Sequence, residues 1–317
     1  MNTVQSAEQF LRDCIRGGLA HSYDVFTSRW VKPYPEATGY LLSYFAAKEK
    51  QANVPQFILK AADKLINIQH PSGGFRSFAD HSTLFTFDTA QIMNGLICLF
   101  KTTGKGLYLE RAVRCGEFVC DMQLPDGSMF PMYKLPVSAR YADKTSWGTS
   151  LSHIQVKNIE GLLLLFEVTG ETKYKIAAEN LAVFGKANCA VHFTHPAAYC
   201  MEGLLCIGEI GFVAEQLRRK VVPLIRDNGF IAYAPELPYA YVSGSVQMGI
   251  LFFKAGFKEE SKIILDWARR VQAHHTCGGL FQYATPDGDL CSHVHSEINS
   301  WGTKYFCELE RLWQSGS

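Results

Sequence analysis

Residues 87–104, FDTAQIMNGLICLFKTTG, constrain the fold more than any other stretch of the chain. Asp88 and Gln91 stand at the start and Lys101 at the end. Between them Ile92, Met93, Leu96, Ile97, Leu99 and Phe100 cover every side of a helix, with Ala90 and Gly95 small enough for close packing. A helix that is apolar all round, yet too short to span a membrane, is buried on all sides in a core. The next segment, 107–123, is amphipathic. Leu109, Ala112, Val113, Gly116, Val119 and Cys120 follow the i, i+3, i+4, i+7 pattern, and Glu110, Arg111, Arg114, Glu117 and Asp121 fill the other face. One buried helix is thus followed by one surface helix across the short turn TTGKG.

That pair recurs along the chain. Surface-type helices are expected at 7–16, 56–69, 107–123, 172–186, 210–226 and 258–273, and buried-type helices starting near Tyr34, Phe87, His153, Thr194, Ser243 and Asn299. The starts lie roughly 50 residues apart, as in stacked helical hairpins with variable loops. Turns from buried to surface helix are short (TTGKG, TGETK, AGFKE), whereas the return links are long and rich in Gly, Pro and aromatics. Three stretches of the links, SGGFRSF, DGSMFPMY and NGFIAYAP, read as short ribbons. The long links all fall over the N-termini of the buried helices, and long loops of this kind are usually functional. Six inner and six outer helices with one decorated mouth predict an all-α fold, an (α/α)6 toroid made by residues 1–317 as a single domain. An open α-solenoid is the alternative, but the last helix, SWGTKYFCELERLW, is as apolar as the middle ones and carries no polar cap.

Composition narrows the partners. With 317 residues and 47% hydrophobic content the chain can bury a large core. A net charge of +1 and no basic run argue against nucleic acid or an anionic membrane surface. No stretch is long and apolar enough for membrane insertion, and MNTVQSAEQFLRDC lacks the apolar region of a signal peptide. Most of the ten cysteines (Cys98, Cys120, Cys206 and Cys307 among them) sit in apolar helical patterns and no CxxC occurs. Free thiols in a reducing cytoplasm are the expectation. No cofactor is called for, since no Gly-rich phosphate loop follows a strand. No metal is expected either: His192-x-x-His195, His274-His275 and His293-x-His295 lack a carboxylate or thiolate complement at a standard spacing.

YPEATGY, FDTAQ, LSHIQVKN, THPAAYCMEG, SGSVQMG and INSWGTKYF stand at the six inner-helix starts. Together they resemble the six-hairpin glycosidase-like toroid proteins found with bacterial surface-polysaccharide biosynthesis enzymes, the VpsJ-type proteins in particular. The resemblance covers nearly the whole chain. It implies an oligosaccharide or polysaccharide substrate, because such mouths hold glycoside hydrolases, uronyl hydrolases, polysaccharide lyases, sugar epimerases and terpenoid cyclases. The DxDD acid of terpenoid cyclases and the Cys and Cys-His zinc ligands of lanthionine cyclases are absent here.

Four residues at the mouth are catalytic candidates. Glu36 and Asp88 are the leading carboxylates, since glycosidic cleavage needs one protonated acid and one ionised carboxylate flanking the bond. Each also sits where a first-turn acid stabilises a helix, and Asp88 with Gln91 mimics a capping box. His153 and His195 open the third and fourth buried helices, where an imidazole titrating near neutrality can act as acid or base or simply cap. Glu160 and Glu202 lie deeper amid apolar residues and need buried partners. For substrate binding, Tyr34, Arg140, Tyr141, Trp147 and Tyr241 are platform candidates, and Gln247, Asn299, Trp301 and Lys304 share first-turn positions suited to hydroxyls, stacking and an anionic group. Helix N-termini converging on one cavity favour an acidic sugar such as a uronate. The reading is a carbohydrate-active enzyme of hydrolase type. Its rivals are a uronyl epimerase or lyase using His153, His195 or a tyrosine with Lys304 or Arg140, and a non-catalytic glycan-binding or scaffold protein.

Overall fold

The computed structural model describes residues 3–48, 54–77, 81–146 and 148–315. Among them the chain forms twelve α-helices: α1 Thr3–Asp13, α2 Pro35–Lys48, α3 Gln56–Ile68, α4 Thr86–Thr103, α5 Gly106–Asp121, α6 Ile159–Thr169, α7 Thr172–Asn188, α8 Thr194–Cys206, α9 Ile210–Gln216, α10 Val242–Lys254, α11 Lys258–Ala273 and α12 Ser300–Ser315. Helices α2, α4, α6, α8, α10 and α12 form the inner wall. Each packs on the next, and α12 packs on α2, so the ring is closed. The toroid is the fold, and the open solenoid is excluded.

The outer helices cover the inner ones because each has a single apolar stripe. In α3 the buried residues are Ile58, Ala61, Ala62, Leu65 and Ile66, a spacing that lies on one face. Helix α4, by contrast, is buried along nearly all its length. Gly104 ends it in the left-handed conformation (φ 71°), its N–H bonding the Phe100 carbonyl, and Gly170 (φ 73°) ends α6 in the same way. The first outer helix, α1, packs on α12 across the two ends of the chain. Tyr44 and Lys48 of α2 and Arg311 of α12 all bond Glu8 of α1 there.

Inner helices touch backbone to backbone. A Cβ on Gly39 would lie 2.7 Å from the Gln91 carbonyl, and one on Gly95 would lie 2.5 Å from the Gly39 carbonyl, so α2 and α4 meet through two glycines. Where the third inner helix was expected to begin, residues His153–Asn158 wind as a 3-10 helix before α6. Gly203 of α8 lies against that tighter turn, and a Cβ there would meet the Val156 carbonyl at 2.0 Å. The single outer helix expected over 210–226 also breaks. It passes from α9 through a π-turn, Leu217–Val221, to a 3-10 turn, Val222–Leu224, where Pro223 removes an N–H and ends the ladder.

Short antiparallel strands rim one end of the ring. Arg29–Tyr34 runs into α2, Thr83–Phe85 into α4, Ala240–Tyr241 into α10 and Glu297–Asn299 into α12. Of the expected ribbons, Phe75–Arg76 and Met132–Lys134 both pair with Thr83–Phe85, whereas NGFIAYAP makes only an isolated bridge, Ile225 to Ile231. The hairpin Leu19–Asp24/Arg29–Tyr34 was not expected. Its turn is held by Asp24, whose Oδ1 accepts from the Thr27 N–H at 2.7 Å and the Thr27 hydroxyl at 2.9 Å.

Candidate functional site

Strand ends and first helical turns converge on a cavity of about 350 Å³ at the rimmed end of the ring. That is near the lower bound of ligand pockets, roughly 300–1,000 Å³. Inner helices supply Glu36, Phe87, Asp88, His195, Tyr199 and Trp301, and the preceding strands supply Tyr34, Phe85 and Tyr241. The long links contribute Ser77, Pro131, Gly148, Thr149 and Gln282. The walls are largely aromatic. Tyr34 meets Trp301 edge-on at 5.3 Å, Phe87 meets Tyr199 at 4.9 Å, and His195 stacks on Tyr241 at 4.4 Å and 17°.

Glu36 and Asp88 begin adjacent inner helices. Pro35 is the first residue of α2, where its fixed φ and missing N–H cost nothing, and it places Glu36 in the first turn. Both carboxyls are only half-buried because they face the cavity, but protein surrounds them on every other side. Burial holds Glu36 well above the usual carboxylate range, and repulsion from Asp88 adds to it; a hydrogen bond from Tyr40 opposes the rise. Burial likewise pushes Asp88 up to about 7, against a backbone hydrogen bond that favours its anion. Two like charges in one enclosed site titrate as a pair, and burial raises both members. The residue preceding α4 is Phe85, and it makes no side-chain cap, so the capping box suggested by Asp88 and Gln91 does not form.

His195 is buried with its Nδ1 2.8 Å from Gln247 Oε1. Burial pushes its pKa down to about 3, so the ring is neutral at any ordinary pH. Tyr199, one turn below, was missed by sequence reasoning, as were Phe85, Phe87 and Gln282. A signal for it exists: Glu36, His195 and Trp301 are each followed four residues later by tyrosine, at 40, 199 and 305. On a helix that spacing stacks a second layer directly beneath the first.

The other candidates lie elsewhere. His153 is half-buried and its Nε2 has no hydrogen-bond partner among the described residues; its neighbour Ile154 lines the cavity instead. Asn299 is fully buried, and its Oδ1 accepts from the Gly302 N–H at 2.7 Å, which makes it the N-cap of α12. Gln247 sits behind His195, in the second turn of α10. Arg140 reaches the Asp121 carbonyl at 3.0 Å on the outer surface, and Tyr141 is exposed there. Trp147 lies outside the described residues, although Gly148 and Thr149 next to it line the cavity. The histidine clusters are dispersed: His192 meets Glu236 at 3.2 Å and His274 meets Asp289 at 3.0 Å.

Lys304 is the clearest correction. It opens not onto the mouth but onto a second cavity of about 470 Å³ at the C-terminal ends of the inner helices. This basal cavity is larger but carries no strand rim or long link. Most of its charges are paired: Lys157 with Glu160 (2.7 Å) and Glu202 (3.1 Å), Lys304 with Glu308 (2.9 Å), and Arg311 with Glu8, while Lys254 also lines it. Glu160 and Glu202 therefore have the partner their depth requires. Unbalanced proton affinity resides at the mouth.

No known family profile matches the sequence, and no curated protein matches it. Solved structures do match over the whole length. A cellobiose 2-epimerase from Bacillus thermoamylovorans superposes with a TM-score of 0.73 at 14% identity, covering 99% of this chain and 100% of that one. An unsaturated glucuronyl hydrolase specific for heparin gives 0.73 at 11%, covering 99% and 96%. A sugar epimerase from a ruminal bacterium gives 0.74 at 12%, covering 98% of each. The fold shared with these structures is the (α/α)6 toroid. At such identities the likeness extends to the six-hairpin fold, and the site must be read from its own residues.

Proposed function

We propose that the chain is a carbohydrate-active enzyme that cleaves a glycosidic bond in the mouth cavity, with Glu36 as general acid and Asp88 as general base. The observation that carries this reading is the carboxyl pair: two acids facing one cavity, both held above the ordinary carboxylate range by their surroundings. Protonated Glu36 gives its proton to the departing glycosidic oxygen. Ionised Asp88 takes a proton from the water that attacks the anomeric carbon. Tyr34, Tyr241 and Trp301 offer faces for a sugar ring. Structures of the same fold that act on sugars, an epimerase and a glucuronyl hydrolase, support the substrate class.

The finer reading concerns the glycan. No lysine or arginine lines the cavity among the described residues, since Arg140 and Lys304 lie elsewhere. A uronate carboxylate would face Glu36 and Asp88 with only helix N-termini to balance it. A neutral sugar unit therefore fits better than the acidic one inferred from the sequence, within the same class of bacterial surface polysaccharide. A second reading rests on His195, a neutral imidazole in the same cavity, acting as the base of an epimerase or lyase.

A panel of neutral and uronate-bearing oligosaccharides incubated in D2O decides between them. Release of new reducing ends supports hydrolysis, deuterium on a sugar carbon without release supports epimerisation, and binding without either product supports a glycan-binding protein. Absence of both binding and turnover across the panel would overturn the reading.

A further inference from the structure

A line of side chains runs from the mouth cavity through the core to the basal cavity. Lys157 lies between Glu160 and Glu202, 2.7 and 3.1 Å away. Its side chain is only 8% exposed, and the two carboxylates outweigh burial and hold the proton on the ammonium. Glu202 Oε2 accepts from Lys157, and the same oxygen lies 3.1 Å from Gln247 Nε2. The Gln247 amide then has one allowed orientation. Its NH2 must face the accepting carboxylate oxygen, since the flipped amide would set two acceptors against each other. Its oxygen consequently faces His195 Nδ1 at 2.8 Å, and two acceptors cannot meet there either.

From this we infer that Gln247 and Glu202 are positioning residues that hold His195 in the tautomer protonated on Nδ1, leaving Nε2 as the acceptor in the mouth cavity. The inference rests on the catalytic reading of the mouth only for what Nε2 then does: accept a hydrogen bond from a sugar hydroxyl during hydrolysis, or a proton from carbon in the second reading. The tautomer itself follows from the order of donors and acceptors. A lysine on the basal side, well below the imidazole, is what orients the chain. Ser243 Oγ, 3.4 Å from Nδ1, can donate or accept and so adapts to the tautomer that Gln247 sets.

The test is a long-range 1H–15N correlation spectrum of histidine-labelled protein without substrate, with His195 assigned through its contacts to Tyr241 and Tyr199. The wild type is expected to show a protonated Nδ1 and a bare Nε2 from pH 5 to pH 8. Glu202→Gln, which can donate as well as accept, releases the Gln247 amide and gives a mixture of tautomers. Gln247→Leu gives the same mixture and loses about 10²-fold in kcat with little change in KM, the scale expected when an acid–base group is misplaced. A proton on Nε2 in the wild type overturns the inference, as does an unchanged tautomer in Gln247→Leu; should that variant not fold, the wild type and Glu202→Gln decide. The expected tautomer with no turnover on any glycan overturns only the catalytic reading, and turnover with the proton on Nε2 overturns only the relay.

Discussion

The hydroxyls of Tyr40 and Tyr199 meet 3.3 Å apart, although they belong to α2 and α8, helices on opposite sides of the ring. With Tyr305 of α12 they form a floor one turn below Glu36, His195 and Trp301. Burial holds all three phenols well above their ordinary range, so they stay protonated donors. The floor divides the ring axis into a mouth with two carboxyls and no lining cation among the described residues and a base where lysines and arginine stand beside glutamates.

Replacing either mouth carboxyl separates function from stability. Asp88→Asn and Glu36→Gln keep size and hydrogen-bonding atoms but cannot exchange a proton. Each is expected to lose about 10²-fold or more in rate. Each also removes a carboxyl whose pKa burial raises, which costs folding stability above the ordinary carboxylate range, so Tm at pH 8 should rise above wild type. Near-normal turnover by Asp88→Asn would assign that residue a helix-terminus role, and a lower Tm at pH 8 would contradict the burial argument.

The pH profile follows from the same pair. Asp88 must be ionised to act as base, so kcat/KM is expected to climb through about pH 7; it falls again at higher pH, where Glu36 loses its proton. Both folded-state pKa values are raised, so the folded chain binds more protons than the unfolded one above the ordinary carboxylate range. Their contribution to stability is therefore largest at low pH and declines as pH rises through the folded values. His195 acts oppositely: its folded pKa of about 3 means that stability falls as pH drops below the usual imidazole value. Denaturant melts of Glu36→Gln and His195→Gln across pH 4 to 9 check both slopes.

Tyr40→Phe tests the floor. It deletes the hydroxyl that bonds Tyr199 and assists ionisation of Glu36. A stability loss of about 1 kcal/mol is expected for the buried bond. The alkaline limb of the activity profile should also move up, because Glu36 loses a donor that favours its charged form. A limb that moves down would rule out contact between Tyr40 and Glu36.

Ring packing is checked by two alanines. Gly203→Ala forces a Cβ to within 2.0 Å of the Val156 carbonyl, backbone against backbone, and is expected to cost about 3 kcal/mol, the upper end for overpacking. Gly211→Ala in α9 meets nothing within 4 Å and should be neutral or stabilising by about 0.4–1 kcal/mol. Equal melting temperatures for the two variants would contradict the close approach.

All ten cysteines are free thiols in the structure. Burial pushes most of them up, Cys14 and Cys115 to about 12, so native protein should react slowly with alkylating agents. Unfolding without reductant should expose ten reactive thiols. Cys189 and Cys200 lie close enough to perturb each other's thiol and are the pair most open to oxidation. A count of eight would identify them as a disulfide.

The alternation of all-round apolar and one-sided helices was legible in the sequence because burial imposes it residue by residue. It determined the number of hairpins and the side bearing the long links; of Asp88, His153, His195 and Asn299, expected in one cavity, Asp88 and His195 line it, together with Glu36 and Trp301. The apolar final helix also announced its neighbour, since a face such as that of α12 needs a partner and α2 supplies it. What linear reading could not assign was depth and direction along the inner wall. Trp301 and Lys304 are three residues apart, about 4.5 Å of helix rise, yet one opens onto the mouth and the other onto the base. Arg140 left the site because its strand pairs at the ring's outer rim, and Asn299 turned inward to cap a helix. The sheet built on the hairpin of residues 19–34 escaped notice because its further partner is Glu297–Asn299, at the far end of the chain. Such choices depend on which groups the closed ring brings within a few ångströms of each other, and only tertiary structure decides that.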